Sequence, residues 1–327
     1  MQDQSTDMAD IGKDIQRAAT FLSQGKLVAI PTETVYGLAA NAFDEAAVVK
    51  IFEAKNRPAF DPLIVHTFAV SEIAGIVREV PDVAYVLAER FWPGPLTLIL
   101  PKGERVPFLV TSGHDSVGVR IPRHPLTLDL LRQLPFPVAA PSANPFGYVS
   151  PTTAQHVQDQ LGSRIPYILD GGACAVGIES TILSLNGDEV EVLRLGGLAL
   201  EELEEVVHIS KARIKTSSSN PTAPGMLSSH YSPRKKVLLG SIEANLPLVD
   251  GARIGVISLK KNFPQVPIGQ QIQLSASGDL GEAARSLFSA LRTLDEQPID
   301  LILAEPMPEQ GLGRAINDRL QRASFQG

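Results

Sequence analysis

The sequence predicts an α/β protein in two units, a larger one around a mixed sheet and a smaller one around a parallel sheet. Three observations predict it. Segments with helical spacing of apolar residues alternate with short apolar runs of strand length between residues 11 and 207. Thr181–Leu185 and Val190–Leu195 flank Asn186-Gly187-Asp188, a hairpin signal, so the larger sheet is not purely parallel. Beyond a polar stretch at 211–235 the pattern restarts as strands alternating with helices, the mark of a small parallel α/β unit. The 327 residues also exceed the ~100–200 of one ordinary domain.

Taken in order, Ile11, Ile15, Ala18, Ala19 and Leu22 form one helical stripe that Gly25 ends. Leu27–Ile30 is a buried strand stopped by Pro31. Asp44 caps a helix whose apolar face is Ala47, Val48, Ile51 and Phe52, and the helix must end before Pro58. Leu63–Val65 is a strand, 70–77 and 82–91 are helices, and Leu96–Leu100 and Val117–Ile121 are strands. A helix over 125–134, a strand over Pro137–Ala140, and a helix started by Ser150 or Thr152 and running to Leu161 follow. Tyr167–Leu169 is a strand, the hairpin comes next, and a helix covers 199–207. After Lys211–Pro224, polar and read as linker, come strands at Lys236–Leu239, Ile254–Leu259 and Asp300–Ala304, with helices at Leu280–Leu294 and Arg314–Ala323.

Composition narrows the function. With 44% hydrophobic and 20% charged residues the chain can bury a large core. The net charge is −7, from 29 basic and 36 acidic side chains. Residues 235–327 hold 10 of each sign, so the deficit lies wholly in 1–234, with 19 basic and 26 acidic. That is a poor composition for a protein whose main task is gripping nucleic acid. One cysteine, no basic-then-apolar leader and no apolar run of ~20 residues suggest a soluble cytoplasmic protein.

Familiar motifs are missing. There is no phosphate-binding G-x-x-x-x-G-K-[ST], no dinucleotide fingerprint, no G-x-S-x-G elbow, and no histidine or cysteine spacing for zinc. Polar clusters stand instead beside the strands: Pro31–Leu38, Lys55–Pro58 leading through Asp61 to His66, Ser116 with Arg120, Pro141–Asn144, Gly177–Thr181 and Arg194. In open α/β sheets ligands sit at the carboxyl ends of strands, so these clusters predict one shared site there. Lys55, Arg57, Arg120 and Arg194 have no evident acidic partner in the sequence, and Ser116, Ser142, Ser150 and Ser180 add small donors. Forked arginines and a point-charge lysine suit a polyanion such as a nucleoside triphosphate. Singly, each has a plain structural explanation: Lys55 and Arg57 meet a helix dipole, Arg120 lies on a solvated strand face, Asn144 makes a turn, His66 is a satisfied core histidine.

Together the motifs Pro31–Leu38, Lys55–Pro58, Pro62–His66, Trp92–Thr97, Val119–Pro122, Ala140–Asn144, Asp170–Gly172 and Glu179–Ile182 resemble the signature of the YrdC/Sua5 family, the threonylcarbamoyl-AMP synthases. Ala223–Met226 and His230–Pro233 resemble the linker of its long members. The resemblance implies a YrdC-like catalytic domain over 10–208, a linker at 209–235 folding over the site, and a Rossmann-like C-terminal domain over 236–327. It implies a nucleotidyltransferase that makes threonylcarbamoyl-AMP from L-threonine, bicarbonate or CO2 and ATP, releasing pyrophosphate. A separate transferase complex would then modify N6 of adenosine 37 in tRNA.

By the same resemblance, Lys55 and Arg57 bind phosphate and stabilise transition-state charge. Arg120 grips the threonine carboxylate, with Thr34, His66, the Ala140 backbone and Ser180 completing that pocket. Ser116, Ser142, Asn144, Ser150 and Arg194 line the nucleotide side, and Tyr231 closes over ATP. Mg2+ accompanies the triphosphate with no protein side chain as its ligand. Asp61 stands where many relatives carry asparagine; an ionised carboxylate cannot donate, so its contact, to ATP or to Mg2+, stays open. Two other functions compete with this one. A nucleic-acid-binding module is disfavoured by charge, and direct tRNA binding stays open. A carbamoyl-transfer maturation enzyme would need the cysteines and length this chain lacks. The C-terminal unit shows no catalytic constellation and is expected to hold the linker over the site and gate it.

Overall fold

The computed structural model describes residues 8–186, 189–209, 214, 223–225, 230–248 and 253–325. Much of the stretch read as linker, and Gly187-Asp188 of the hairpin turn, lie outside the described residues.

Ten strands form the larger sheet: β1 (Asp10–Gly12), β2 (Val28–Ile30), β3 (Gly37–Asn41), β4 (Ile64–His66), β5 (Leu96–Pro101), β6 (Ser116–Arg120), β7 (Val138–Ala139), β8 (Tyr167–Leu169), β9 (Thr181–Asn186) and β10 (Glu189–Arg194). Their order is β1-β8-β2-β3-β7-β4-β6-β5-β9-β10, with parallel and antiparallel pairs mixed. Around it lie α1 (Ile15–Ser23), α2 (Glu45–Lys55), α3 (Asp82–Phe91), α4 (Phe108–Thr111), α5 (Pro125–Gln133), α6 (Ala154–Leu161) and α7 (Leu200–Glu204). The second sheet is wholly parallel, β11 (Lys236–Leu239), β12 (Ile254–Ser258), β13 (Gln271–Gln273) and β14 (Leu301–Ala304) in the order β11-β14-β12-β13. Helices α8 (Ile242–Asn245), α9 (Leu280–Glu296) and α10 (Gly313–Ser324) accompany it. Among the described residues no helix is long and apolar enough to cross a membrane.

Several expectations need correction. The first helix starts at Ile15, because Asp10–Gly12 pairs with Tyr167–Leu169 and Asp14 caps the helix by accepting from Arg17 N. Residues 70–75 form a 3-10 helix rather than an α-helix. Helix α6 is capped by Thr153, not by Ser150 or Thr152. Strand β3 is unexpected: it begins at the end of the Pro31–Leu38 cluster and runs on to Asn41, and Gly37-Leu38-Ala39-Ala40-Asn41 carries no β-branched residue to mark it.

One local feature aims a basic pair. Asp44 caps α2 through Ala46 N at 3.0 Å and Ala47 N at 3.2 Å, a cap worth ~1 kcal/mol. The helix ends on Asn56 at φ 52°, in the left-handed region that asparagine tolerates. That turn brings Lys55 on the last helical turn and Arg57 just past it into the protein, both buried.

The two units share a core. Val35, Val149, Ile178 and Tyr231 pack with Ala283, Ala284, Leu287, Phe288 and Leu291 of α9. Gly177, at φ 82°, is pressed against α9 so closely that a Cβ there would lie 2.3 Å from Arg285 Cα. The approach demands glycine twice, by backbone conformation and by space.

Candidate active site

The polar clusters do not meet at one edge of the sheet. β7 runs antiparallel to β4, so the residue after β7 lies beside the start of β4: Ala140 N donates to Ile64 O at 3.0 Å. The clusters meet over one face of the central strands. Side chains alternate along a strand, so Ile64 and His66 share a face, and their registered neighbours Gly118 and Arg120 continue it. On that face Ile64, Ile99, Ile182 and Leu193 form an apolar floor, on which Ala223 of the linker is packed.

A concavity opens there. Its walls include Thr34, Arg57, His66, Arg120, Ala140, Ser142 and Arg194, and its roof is linker, namely Pro224, Gly225, His230 and Tyr231. The roof is held from below and above. Arg194 Nη1 donates to Pro224 O at 3.1 Å, and Tyr231 stacks on Phe288 with ring centroids 5.5 Å apart.

On one side of the concavity Arg120 is pre-set. Its Nη2 donates to Glu33 Oε1 at 2.7 Å and its Nε to Gly94 O at 3.2 Å, leaving Nη1 unengaged among the described residues. Glu33 Oε2 in turn accepts from Arg123 N at 2.9 Å. His66 lies beside it with Nδ1 3.2 Å from Ile64 O, which places the proton on Nδ1 and leaves Nε2 an acceptor. Thr34 is buried, and its hydroxyl shares a 2.8 Å hydrogen bond with Thr32. Ser180 Oγ lies behind the wall, 2.7 Å from Thr97 Oγ1, and accepts from Arg194 Nη2 at 3.0 Å.

On the other side Lys55 Nζ donates to Ser142 O at 2.5 Å and to Asn144 O. Burial, then the neighbouring Arg57 charge, hold this ammonium well below the ordinary lysine range. Arg57 Nε donates to Asp61 O at 3.0 Å and Nη2 to Pro62 O at 2.8 Å, and Nη2 also lies 2.8 Å from Asp61 Oδ2. Both Asp61 carboxylate oxygens nonetheless lack an aligned hydrogen-bond donor among the described residues, and burial raises that carboxyl.

The expectation that the four cations stand without acids is therefore overturned for two of them, Arg57 with Asp61 and Arg120 with Glu33. Other residues are not brought to the concavity itself. Ser116 starts β6, four residues short of Arg120, and is not in the wall. Asn144 spends its amide on Pro145 O and Tyr148 O, with only Oδ1 unpartnered. Ser150 is fully buried and gives its hydroxyl to Glu179 Oε1 at 2.5 Å. Glu179, His230 and Gly225 do line it. Their signal in the sequence is the motif each sits in, since neither spacing nor charge marks them.

The two histidines at the site are held neutral. Burial, then Arg120, lower His66 to about 3, and burial with surrounding cations lowers His230 well below its usual range. In the unfolded chain the imidazole titrates near 6.5. Between that pH and about 3 the unfolded state binds a proton that native His66 does not, so stability falls as pH falls through this window. A Tm series from neutrality down to about pH 4 is expected to slope downward, and less steeply for His66→Asn. Equal slopes would contradict this assignment.

Fold and site together define a class: a two-unit α/β protein that gathers buried arginines over the face of a mixed sheet under a roof from its own linker. Two family models match the chain, one described as telomere recombination over residues 20–196 and one as threonylcarbamoyl-AMP synthase, C-terminal domain, over 198–324. The chain belongs to the YrdC/Sua5 family. It is 44% identical to the threonylcarbamoyl-AMP synthase of Pyrococcus abyssi over 95% of this chain and 94% of the relative. It is 41% identical to that of Bacillus subtilis over 95% and 92%. The crystal structure of P. abyssi Sua5 complexed with L-threonine superimposes with a TM-score of 0.87, at 42% identity and covering 97% of both chains.

Proposed function

We propose that this chain is an L-threonylcarbamoyladenylate synthase. It combines L-threonine, bicarbonate or CO2, and ATP, and releases pyrophosphate. The observation that carries this is the placement of separately held buried cations at one concavity. Arg120 is oriented by Glu33, Arg57 and Arg194 complete the lining cations, and Lys55 stands buried behind the wall, donating to Ser142 O. The full-length relatives named for the same reaction support it.

The chemistry follows from those groups. The threonine amine attacks CO2, forming the C–N bond and shedding a proton. A carbamate oxygen then attacks the α-phosphorus, and the bond from that phosphorus to the bridging oxygen breaks as pyrophosphate leaves. Two anions must be brought into line, and fixed cations achieve that without reorganisation at the moment of reaction. Arg120 takes the threonine carboxylate on its free Nη1, with Thr34, His66, Ala140 and Ser180 shaping the pocket. Lys55 and Arg57 hold phosphate and meet the developing charge, while Ser142 and Arg194 line the nucleotide side. Tyr231 excludes water from above.

Mg2+ enters with the triphosphate. Among the described residues no three His, Cys, Asp or Glu side chains gather, and the carboxylate beside the phosphate-binding cations, Asp61, is ion-paired with Arg57 yet accepts no aligned hydrogen bond. That donor set suits an ion carried mainly by phosphate oxygens. When bound, the ion neutralises triphosphate charge. The product passes to a separate transferase complex acting on tRNA position 37. The test is mass spectrometry of the reaction with 13C-bicarbonate. Threonylcarbamoyl-adenylate carrying the label is expected, and its absence with all substrates present would overturn the proposal.

A further inference from the structure

Arg319 is the bulkiest fully buried side chain among the described residues, and it belongs to α10 of the smaller unit. Its contacts are mostly outside that unit. Nε donates to Glu179 Oε2 at 3.1 Å, and Nη1 donates to Leu195 O at 2.5 Å and to Asp318 Oδ2 at 3.0 Å. The guanidinium carbon sits 5.3 Å from the centre of the Tyr231 ring. Nη2 is buried with no hydrogen-bond partner.

A buried guanidinium with an unsatisfied nitrogen is a poor device for stability, since well-packed apolar residues do as well or better. Its geometry suits positioning. Glu179 lines the concavity and accepts the Ser150 hydroxyl on its other oxygen at 2.5 Å. One arginine therefore fixes a carboxylate in the wall and, through a cation–π contact, the tyrosine of the roof. Tyr231, and Ser150 behind Glu179, are the residues assigned to the nucleotide.

We infer that Arg319 is a positioning residue for ATP, and that through it the C-terminal unit completes the site of the N-terminal one. Arg319 touches no substrate. It holds Glu179, with Ser150 behind it, and the ring of Tyr231 in the arrangement that receives the nucleotide. The inference rests on the synthase reading and adds, to the expected holding of the linker, a direct contact from the C-terminal unit to Glu179 in the wall.

The test compares full-length wild type with Arg319→Met, Arg319→Lys, and the double variant Arg319→Met/Glu179→Gln. Pyrophosphate release gives both KM values, and calorimetry gives the ATP Kd without turnover. Arg319→Met is expected to raise ATP KM and Kd about tenfold or more, with threonine KM within about twofold. Arg319→Lys, one point charge in place of a fork, is expected to fall between. The double variant removes the stranded carboxylate, so its Tm recovers while its ATP Kd does not. Recovery of Tm and ATP Kd together, or equal shifts in both KM values, would make Arg319 a purely structural residue and overturn the inference. If Arg319→Met fails to fold, the double variant carries the comparison. A wild type that binds ATP but releases no pyrophosphate in response to threonine sinks the synthase reading alone, and the Kd comparison still decides the role of Arg319.

Discussion

Replacing Arg120 by alanine is expected to raise the threonine KM on the order of a hundredfold while the ATP KM moves little. The magnitude is that of two charge-assisted hydrogen bonds at about 1.5 kcal/mol each, with every 1.4 kcal/mol worth about a factor of ten. The structure adds a complication. Arg120 also neutralises Glu33, 2.7 Å away and buried, so its removal strands a carboxylate whose other described donor is Arg123 N. Some loss of stability will accompany the kinetic effect. The double variant Arg120→Ala/Glu33→Gln removes that second cause. It should regain Tm while keeping the high threonine KM. Arg120→Lys keeps the charge but loses the fork, and should recover only part of the affinity. Steady-state pyrophosphate release with each substrate varied in turn checks all three, and equal changes in the two KM values would contradict the assigned role.

Lys55→Met is expected to lower kcat by about two to three orders of magnitude, the usual cost of removing one fixed donor from a developing oxyanion. Lys55 suits that task because its ammonium is fully buried and anchored by two backbone carbonyls, so it needs no reorientation during the reaction. Its lowered acidity range sets a pH signature. The charged form is the active one, so kcat/KM should be lost as pH rises through a value below that of an ordinary lysine, whose pKa is 10.5. Single-turnover rates across the alkaline range check this. An alkaline limb unchanged in Lys55→Arg, whose guanidinium stays charged throughout, would contradict it.

The legible parts of this molecule were those written in local patterns. The hairpin from Thr181 to Arg194, the capped helix after Asp44 and the parallel α/β arrangement after Lys236 each follow from spacing within a few turns of chain. What stayed hidden depends on distant partners. Asp10–Gly12 is a strand because Tyr167–Leu169 receives it, and Gln271–Gln273 because it joins the edge of the second sheet. The site residues Arg57, His66, Arg120 and Arg194 were visible as polar positions beside apolar runs. Their meeting place over a sheet face was not, because it depends on β7 running antiparallel to β4. The acid that pairs with Arg120, and the reach of Arg319 from α10 to Glu179, span separations that no sequence window contains, whereas Asp61 stands only four residues from Arg57 and was open to a local reading.

The proposed reaction requires one concavity to join a threonine-derived carbamate to ATP. Pyrophosphate release from ATP by the full-length chain, with Mg2+ present and L-threonine and bicarbonate each supplied or withheld, tests it most directly. Release that requires both co-substrates is the expected result. Release at the same rate without threonine would contradict it.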